Sequence, residues 1–173
     1  MLFTVAMPEW EPDAEAQVQT CRRANDPQYP LIGPHFTLTF GAPVEEGPCI
    51  DHVGAIARET TPIRFVLRRA EVQTGDTGRS HVFLVPDEGV GALTMLHDRL
   101  YAGLLAPWRS RAEGFLPHVT VAAFDQLQPA QALADRWNAQ LFALGGHIRA
   151  LTVGRLVDQR FDVLAQLPLE PGA

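Results

Sequence analysis

Two short segments of this chain repeat one another. Pro34-His35-Phe36-Thr37-Leu38-Thr39-Phe40 and Pro117-His118-Val119-Thr120-Val121-Ala122-Ala123-Phe124 share the pattern Pro-His-apolar-Thr-apolar. Alternating apolar positions, rich in aromatic and β-branched residues and bounded by proline, predict a β-strand for each. In a strand, residues i and i+2 share a face about 6.5–7 Å apart. His35 and Thr37 therefore project together, as do His118 and Thr120, while Phe36, Leu38, Val119 and Val121 turn toward a core. The fold has to place two such strands so that both apolar faces are buried and both polar faces remain open.

One His-x-Thr triplet alone would carry little weight, since six His and eleven Thr in 173 residues give about 0.4 such triplets by chance. The plain alternative is two satisfied histidines on ordinary strands. Two copies, each with its proline and its alternation, favour a shared chemical role. Displacement at phosphorus sets the attacking and leaving oxygens on opposite sides, so it needs a base on one side and an acid on the other. Histidine, with an ordinary pKa of about 6.5, supplies either form near neutral pH. Two threonine hydroxyls can hold the non-bridging oxygens. His35 and His118 are thus the candidate catalytic pair and Thr37 and Thr120 the phosphate ligands. No metal or other cofactor is expected in this scheme.

Composition narrows the setting. The chain is 46% hydrophobic and 20% charged, as ordinary globular proteins are. Its length suits a single domain spanning residues 1–173, built as two small lobes around a cleft. A net charge of −6 argues against a protein that coats long nucleic acid, but not against one that binds a nucleotide or an RNA end. Met1 to Trp10 has no basic leader pattern and reads as a strand, and no apolar run reaches membrane-spanning length. Cys21 and Cys49 are too few for a disulfide framework and read as reduced thiols, which points to the cytoplasm.

The remaining pattern is mixed. Helices are predicted for Glu11 to Ala24, Asp51 to Glu59, Val90 to Leu105 and Pro129 to Leu144, the last stopped by Gly145-Gly146. Strands are predicted for Ile63 to Val72 and His81 to Val85, and a closing hairpin for Ile148 to Leu156 and Phe161 to Leu167 around Asp158-Gln159. The expectation is an α+β, bilobal, pseudo-symmetric fold: two small, largely antiparallel sheets with outer helices flanking a central cleft. Duplicated halves suggest that a monomer contains a full site.

With these motifs the chain resembles the two-histidine (2H) phosphoesterase superfamily, and within it the 2'-5' RNA ligases and RNA 2',3'-cyclic phosphodiesterases. His35-Phe36-Thr37-Leu38-Thr39-Phe40 looks like the first family motif and Phe115-Leu116-Pro117-His118-Val119-Thr120-Val121 like the second. The resemblance implies a metal-independent enzyme acting on a cyclic phosphate of a nucleotide or RNA 3'-end, or on a 2'-5' linkage. Ala122-Ala123 stands where many bacterial RNA phosphodiesterases of the group carry a basic residue. The rival reading is a non-catalytic nucleotide- or RNA-end-binding module on the same fold.

Other candidates lie outside the quartet. Arg79 and His81 alternate with Phe83 along a strand that can border the cleft, and Arg109 and Arg111 precede the second motif; all four are possible substrate contacts. Phe40 and Phe83 are expected in the core. His52, His97 and His147 have no ligand spacing and are expected at the surface. No His-Glu-x-x-His or Cys-x-x-Cys spacing indicates a metal centre.

Overall fold

The alternating segments pair into one antiparallel sheet. The computed structural model describes residues 1–109 and 114–170. In chain order it contains β1 (Leu2–Ala6), β2 (Glu9–Trp10), α1 (Ala14–Asn25), β3 (Phe36–Ala42), α2 (Glu46–Arg58), β4 (Ile63–Thr74), β5 (Ser80–Glu88) and α3 (Val90–Leu100). A 3-10 segment (Gly103–Trp108), β6 (Val119–Phe124), α4 (Leu127–Ala139), β7 (Leu144–Ile148), β8 (Ala150–Val157) and β9 (Arg160–Pro168) follow. The sheet order is β2-β7-β4-β5-β6-β3-β1-β8-β9.

The fold is α+β, and the two expected sheets are continuous with each other. β2, β7, β4, β5 and β6 form one half, with β3, β1, β8 and β9 forming the other. They meet where β6 pairs with β3, through the single register pair Phe36↔Val119. Helices α1 and α4 pack on the first half, α2 on the second, and α3 on β3. Phe36, Leu38, Val119 and Val121 are fully buried, in one cluster with Val18, Val53, Leu96 and Leu133 from the four helices. Burial of each such side chain stabilises by about 1.5–3 kcal/mol, which fixes the motif strands with their polar faces turned away from the helices.

Beyond the junction pair, β3 and β6 no longer exchange hydrogen bonds. The Leu38 carbonyl and the Phe40 amide, which a longer ladder would have used, find partners on and just after α3. His97 Nδ1 donates to the Leu38 carbonyl at 2.8 Å, and the Phe40 amide donates to the Tyr101 hydroxyl at 2.9 Å. His97 is therefore a buried structural residue, contrary to the surface position expected for it. Its ring also stacks on Phe115 at 3.9 Å between centroids, with a 6° interplanar angle. His52 is half-buried, its Nε2 paired with the Leu100 carbonyl at 2.9 Å.

Three element boundaries differ from expectation for identifiable reasons. Helix α2 starts at Glu46, because Pro48 sits in its first turn, where no N–H is needed. Helix α3 stops at Leu100, and the expected continuation tightens into the 3-10 segment containing Pro107. Gly145-Gly146 does not terminate a helix but lies inside β7. A Cβ on Gly146 would sit 2.8 Å from both the Glu9 carbonyl and Phe65 Cζ, so glycine leaves room for this strand between β2 and β4. The closing hairpin turns on Asp158 and Gln159, at φ 46° and 59°, the two positive values of a type I' turn.

Candidate active site

Continuing the antiparallel register either side of Phe36↔Val119 sets His35 across from Thr120 and Thr37 across from His118. All four side chains are half-buried and line one cleft of about 360 Å³. The internal repeat thus becomes a local two-fold arrangement of the two motifs about the junction pair, with all four residues lining the cleft. A larger, more open hollow of about 510 Å³ between α1 and α4 contains Cys21, Arg136 and Trp137 but no comparable acid–base pair. The chemistry selects the smaller cleft.

Both histidines are held in the same way. His35 Nδ1 lies 2.8 Å from the Gly33 carbonyl, and His118 Nδ1 lies 2.7 Å from the Leu116 carbonyl. A carbonyl only accepts, so Nδ1 carries the hydrogen in each ring and Nε2 is left to exchange a proton with a ligand. Burial holds both rings below the ordinary histidine pKa, partly offset by these bonds. His118 is pushed down to about 4, with the neighbouring His35 and His81 adding to the effect. For His35, Arg22 lowers and Asp26 raises the value.

The supports behind the two rings differ. Arg22 and Asp26 form a buried ion pair at 2.8 Å, each side chain 2% exposed. Arg22 also donates to the Ile32 carbonyl, and Asp26 accepts from the Gln28 amide at 2.9 Å. The pair staples the segment from α1 to β3 on which Gly33 and His35 sit. His118 instead rests on Phe83, with ring centroids 3.7 Å apart and planes 19° apart.

Of the remaining sequence candidates, Arg79 and His81 line the cleft. Arg79 pairs with Asp125 at 3.1 Å, and His81 stacks on Phe83 at 6.0 Å. Arg109 pairs with Asp98 and is not among the cleft residues. Arg111 lies outside the described residues. Phe40, expected in the core, is 56% exposed and lines the cleft. Gln28 and Gln73 also line it. Gln73 was legible in principle, because the β4–β5 hairpin pairs it with His81; the segment containing Gln28 carries no periodic signal. Among the described residues, no group of three or more His, Cys, Asp or Glu side chains is placed to hold a metal ion, and no helix is long and apolar enough to cross a membrane.

Comparison with known proteins bears on the sequence and the fold of the whole chain. The sequence model of the 2'-5' RNA ligase superfamily matches residues 10–160. A protein of Bacillus licheniformis provisionally named as a phosphoesterase is 30% identical over 104 residues, covering 58% of this chain and 59% of that one. A similarly named protein of Bacillus cytotoxicus is 33% identical over 154 residues, covering 86% of this chain and 80% of that one. The structure of E. coli LigT complexed with 3'-AMP superposes with a TM-score of 0.58 at 16% identity, covering 97% of this chain and 96% of that chain.

Proposed function

The chain belongs to the 2'-5' RNA ligase superfamily, a family of two-histidine phosphoesterases, and from that premise we propose that it is a metal-independent phosphodiesterase using His35 and His118 as acid and base. Its substrate is a 2',3'-cyclic phosphate, on a nucleotide or at an RNA 3'-end, or a 2'-5' linkage. The observation that carries this reading is the cleft itself, where two identically anchored imidazoles alternate with two hydroxyls across one strand junction.

In the hydrolytic direction, His118 Nε2 takes a proton from water as the water oxygen bonds to phosphorus. His35, protonated at the start, gives its Nε2 proton to the ribose oxygen as the P–O bond breaks. His118 is assigned as the base because burial, with His35 and His81 nearby, holds it neutral at a pKa of about 4; His35 is assigned as the acid, its charged form opposed by burial and Arg22 and favoured by the Gly33 carbonyl and Asp26. Thr37 and Thr120 donate to the non-bridging oxygens. The products are a ribose hydroxyl and a phosphomonoester, and the two rings return their proton difference to solvent. The reading has the protein acting in the cytoplasm as a monomer, and one chain supplying the whole quartet supports the monomer.

The test is turnover of adenosine 2',3'-cyclic phosphate and of an oligonucleotide ending in a cyclic phosphate, in excess chelator. His35→Ala and His118→Ala should each lower kcat by about 10²–10⁴-fold, with binding of product retained. Activity abolished by chelator and restored by a divalent ion would refute the mechanism. Binding without turnover would make the cleft a recognition module instead.

A further inference from the structure

We propose that the cleft contains a second anion subsite, built from Arg79, His81 and Gln73, which takes the phosphate on the 5' side of the nucleotide whose 3' end occupies the quartet. This assignment rests on the reading of the cleft as a nucleotide site.

The register separates the two subsites. Phe83 pairs with Thr120, so it marks the level of the reacting phosphate on β5. His81 is two residues further along the same face, and Arg79, immediately ahead of the strand, starts about 13 Å from that level if strand spacing is carried one residue past Ser80. A guanidinium starting there serves a group beyond the phosphate at Thr120. The ring series His118, Phe83, His81, with centroids 3.7 Å and then 6.0 Å apart, leads from the first site toward the second.

The second position is open, and its one ion pair among the described residues lies at the surface. His81 has Gln73 across from it on β4 and Ala123 across from it on β6, and all three line the cleft. The methyl group of Ala123 leaves the space above it free, while the Gln73 amide offers a neutral donor. Ser80 and Val82, the alternate residues of β5, are fully buried, so only the polar face reaches the cleft. Of the carboxylates nearby, Asp26 is engaged by Arg22 and by the Gln28 amide, and Glu71, across from Phe83 on β4, is paired with Arg69 at 2.6 Å. Asp125, the partner of Arg79, is 85% exposed. Such a surface pair is worth little, and a phosphate that accepts two parallel bonds from the guanidinium displaces it. Arg79, just ahead of β5, thus supplies a cation on this side of the cleft.

Calorimetric titration separates this subsite from the chemistry of the quartet. Adenosine 3'-monophosphate presents one phosphate, adenosine 3',5'-bisphosphate adds a terminal one, and the dinucleotide ApAp adds an internucleotide one. The wild type should bind the bisphosphate, ApAp or both at least tenfold more tightly than the monophosphate, with the advantage shrinking as salt rises. Arg79→Ala and His81→Asn should bring the ratio to within about twofold, whereas Arg149→Ala, paired with Glu9 at 2.9 Å away from the cleft residues, should keep it. Equal wild-type affinities for all three, absence of binding, or a ratio that survives Arg79→Ala would overturn the subsite. Which arm gains tells a mononucleotide from an RNA end. Turnover of adenosine 2',3'-cyclic phosphate, which has no second phosphate, reports separately on the proposed function.

Discussion

Replacing His97 by leucine tests how the first motif strand is held. The imidazole is 7% exposed, donates to the Leu38 carbonyl at 2.8 Å, stacks on Phe115 at 3.9 Å and meets Tyr101 edge-on at 4.9 Å. Leucine fills similar space but leaves a buried carbonyl without a donor, at a cost of about 1–3 kcal/mol. Loss of the ring contacts adds about 0.5–1.5 kcal/mol. The expected total is about 2–4 kcal/mol, and a chain of this size loses about 2–4 °C in Tm per kcal/mol, so Tm should fall by about 4–16 °C. His97→Asn, whose amide nitrogen replaces Nδ1, should recover the hydrogen-bond part and leave only the ring loss. Urea and thermal denaturation followed by circular dichroism give both numbers. A His97→Leu protein within about 0.5 kcal/mol of wild type, or equal losses for Leu and Asn, would refute the view that this side chain replaces the interrupted β3–β6 ladder.

Two further outcomes concern the histidine pair's surroundings. Asp26→Ala should destabilise by about 3–5 kcal/mol in urea titrations, because it leaves the Arg22 charge buried without its counterion, whereas Arg22→Met combined with Asp26→Leu should lose less than that single change. The folded pKa of His118, at about 4, lies below the ordinary value of about 6.5. Between those values the unfolded chain binds the extra proton, so stability is full above about pH 6.5 and falls as the pH drops toward 4, by up to about 3 kcal/mol. His118→Asn should flatten that slope relative to wild type, and an unchanged difference in unfolding free energy between pH 7 and 4.5 would refute the assignment.

Much of the site was legible because its code is periodic. Alternation alone placed His35, Thr37, His118 and Thr120 opposite the buried Phe36, Leu38, Val119 and Val121, and the same alternation aligned Arg79 and His81 with Phe83. What escaped depends on pairing between distant segments. Gly145-Gly146 carries the local signature of a helix stop, but close passage beside Glu9 and Phe65 puts it in a strand. His97 looks like any polar residue on a helix until β3 and β6 part and leave a carbonyl for it. Phe40 reads as core by composition, yet it follows the buried Leu38 and Thr39 at the strand's open end, where no partner strand covers it. Arg22 and Asp26 are adjacent on a helix at i and i+4, a spacing common on solvated faces; only the fold-back of the segment to β3 buries them.

The near two-fold site has a consequence for direction. Under the proposed mechanism, hydrolysis uses His118 as base and His35 as acid, and by microscopic reversibility the reverse step uses His35 as base toward the ribose hydroxyl and His118 as acid. A quartet repeated about the junction pair, with equivalent Nδ1 anchors, serves both directions with the same geometry. The two environments set which protonation state starts the cycle. Bound phosphate brings negative charge between the rings and raises the pKa of both. Under the proposed roles His35 then holds the proton, which Asp26 favours against burial and Arg22, while His118 against Phe83 stays neutral. The resting enzyme with a cyclic phosphate bound is therefore set for attack by water, and removal of Asp26's charge should slow that direction through kcat rather than KM. An Asp26→Asn protein with unchanged kcat for the cyclic nucleotide would show that the asymmetry between the histidines has another source.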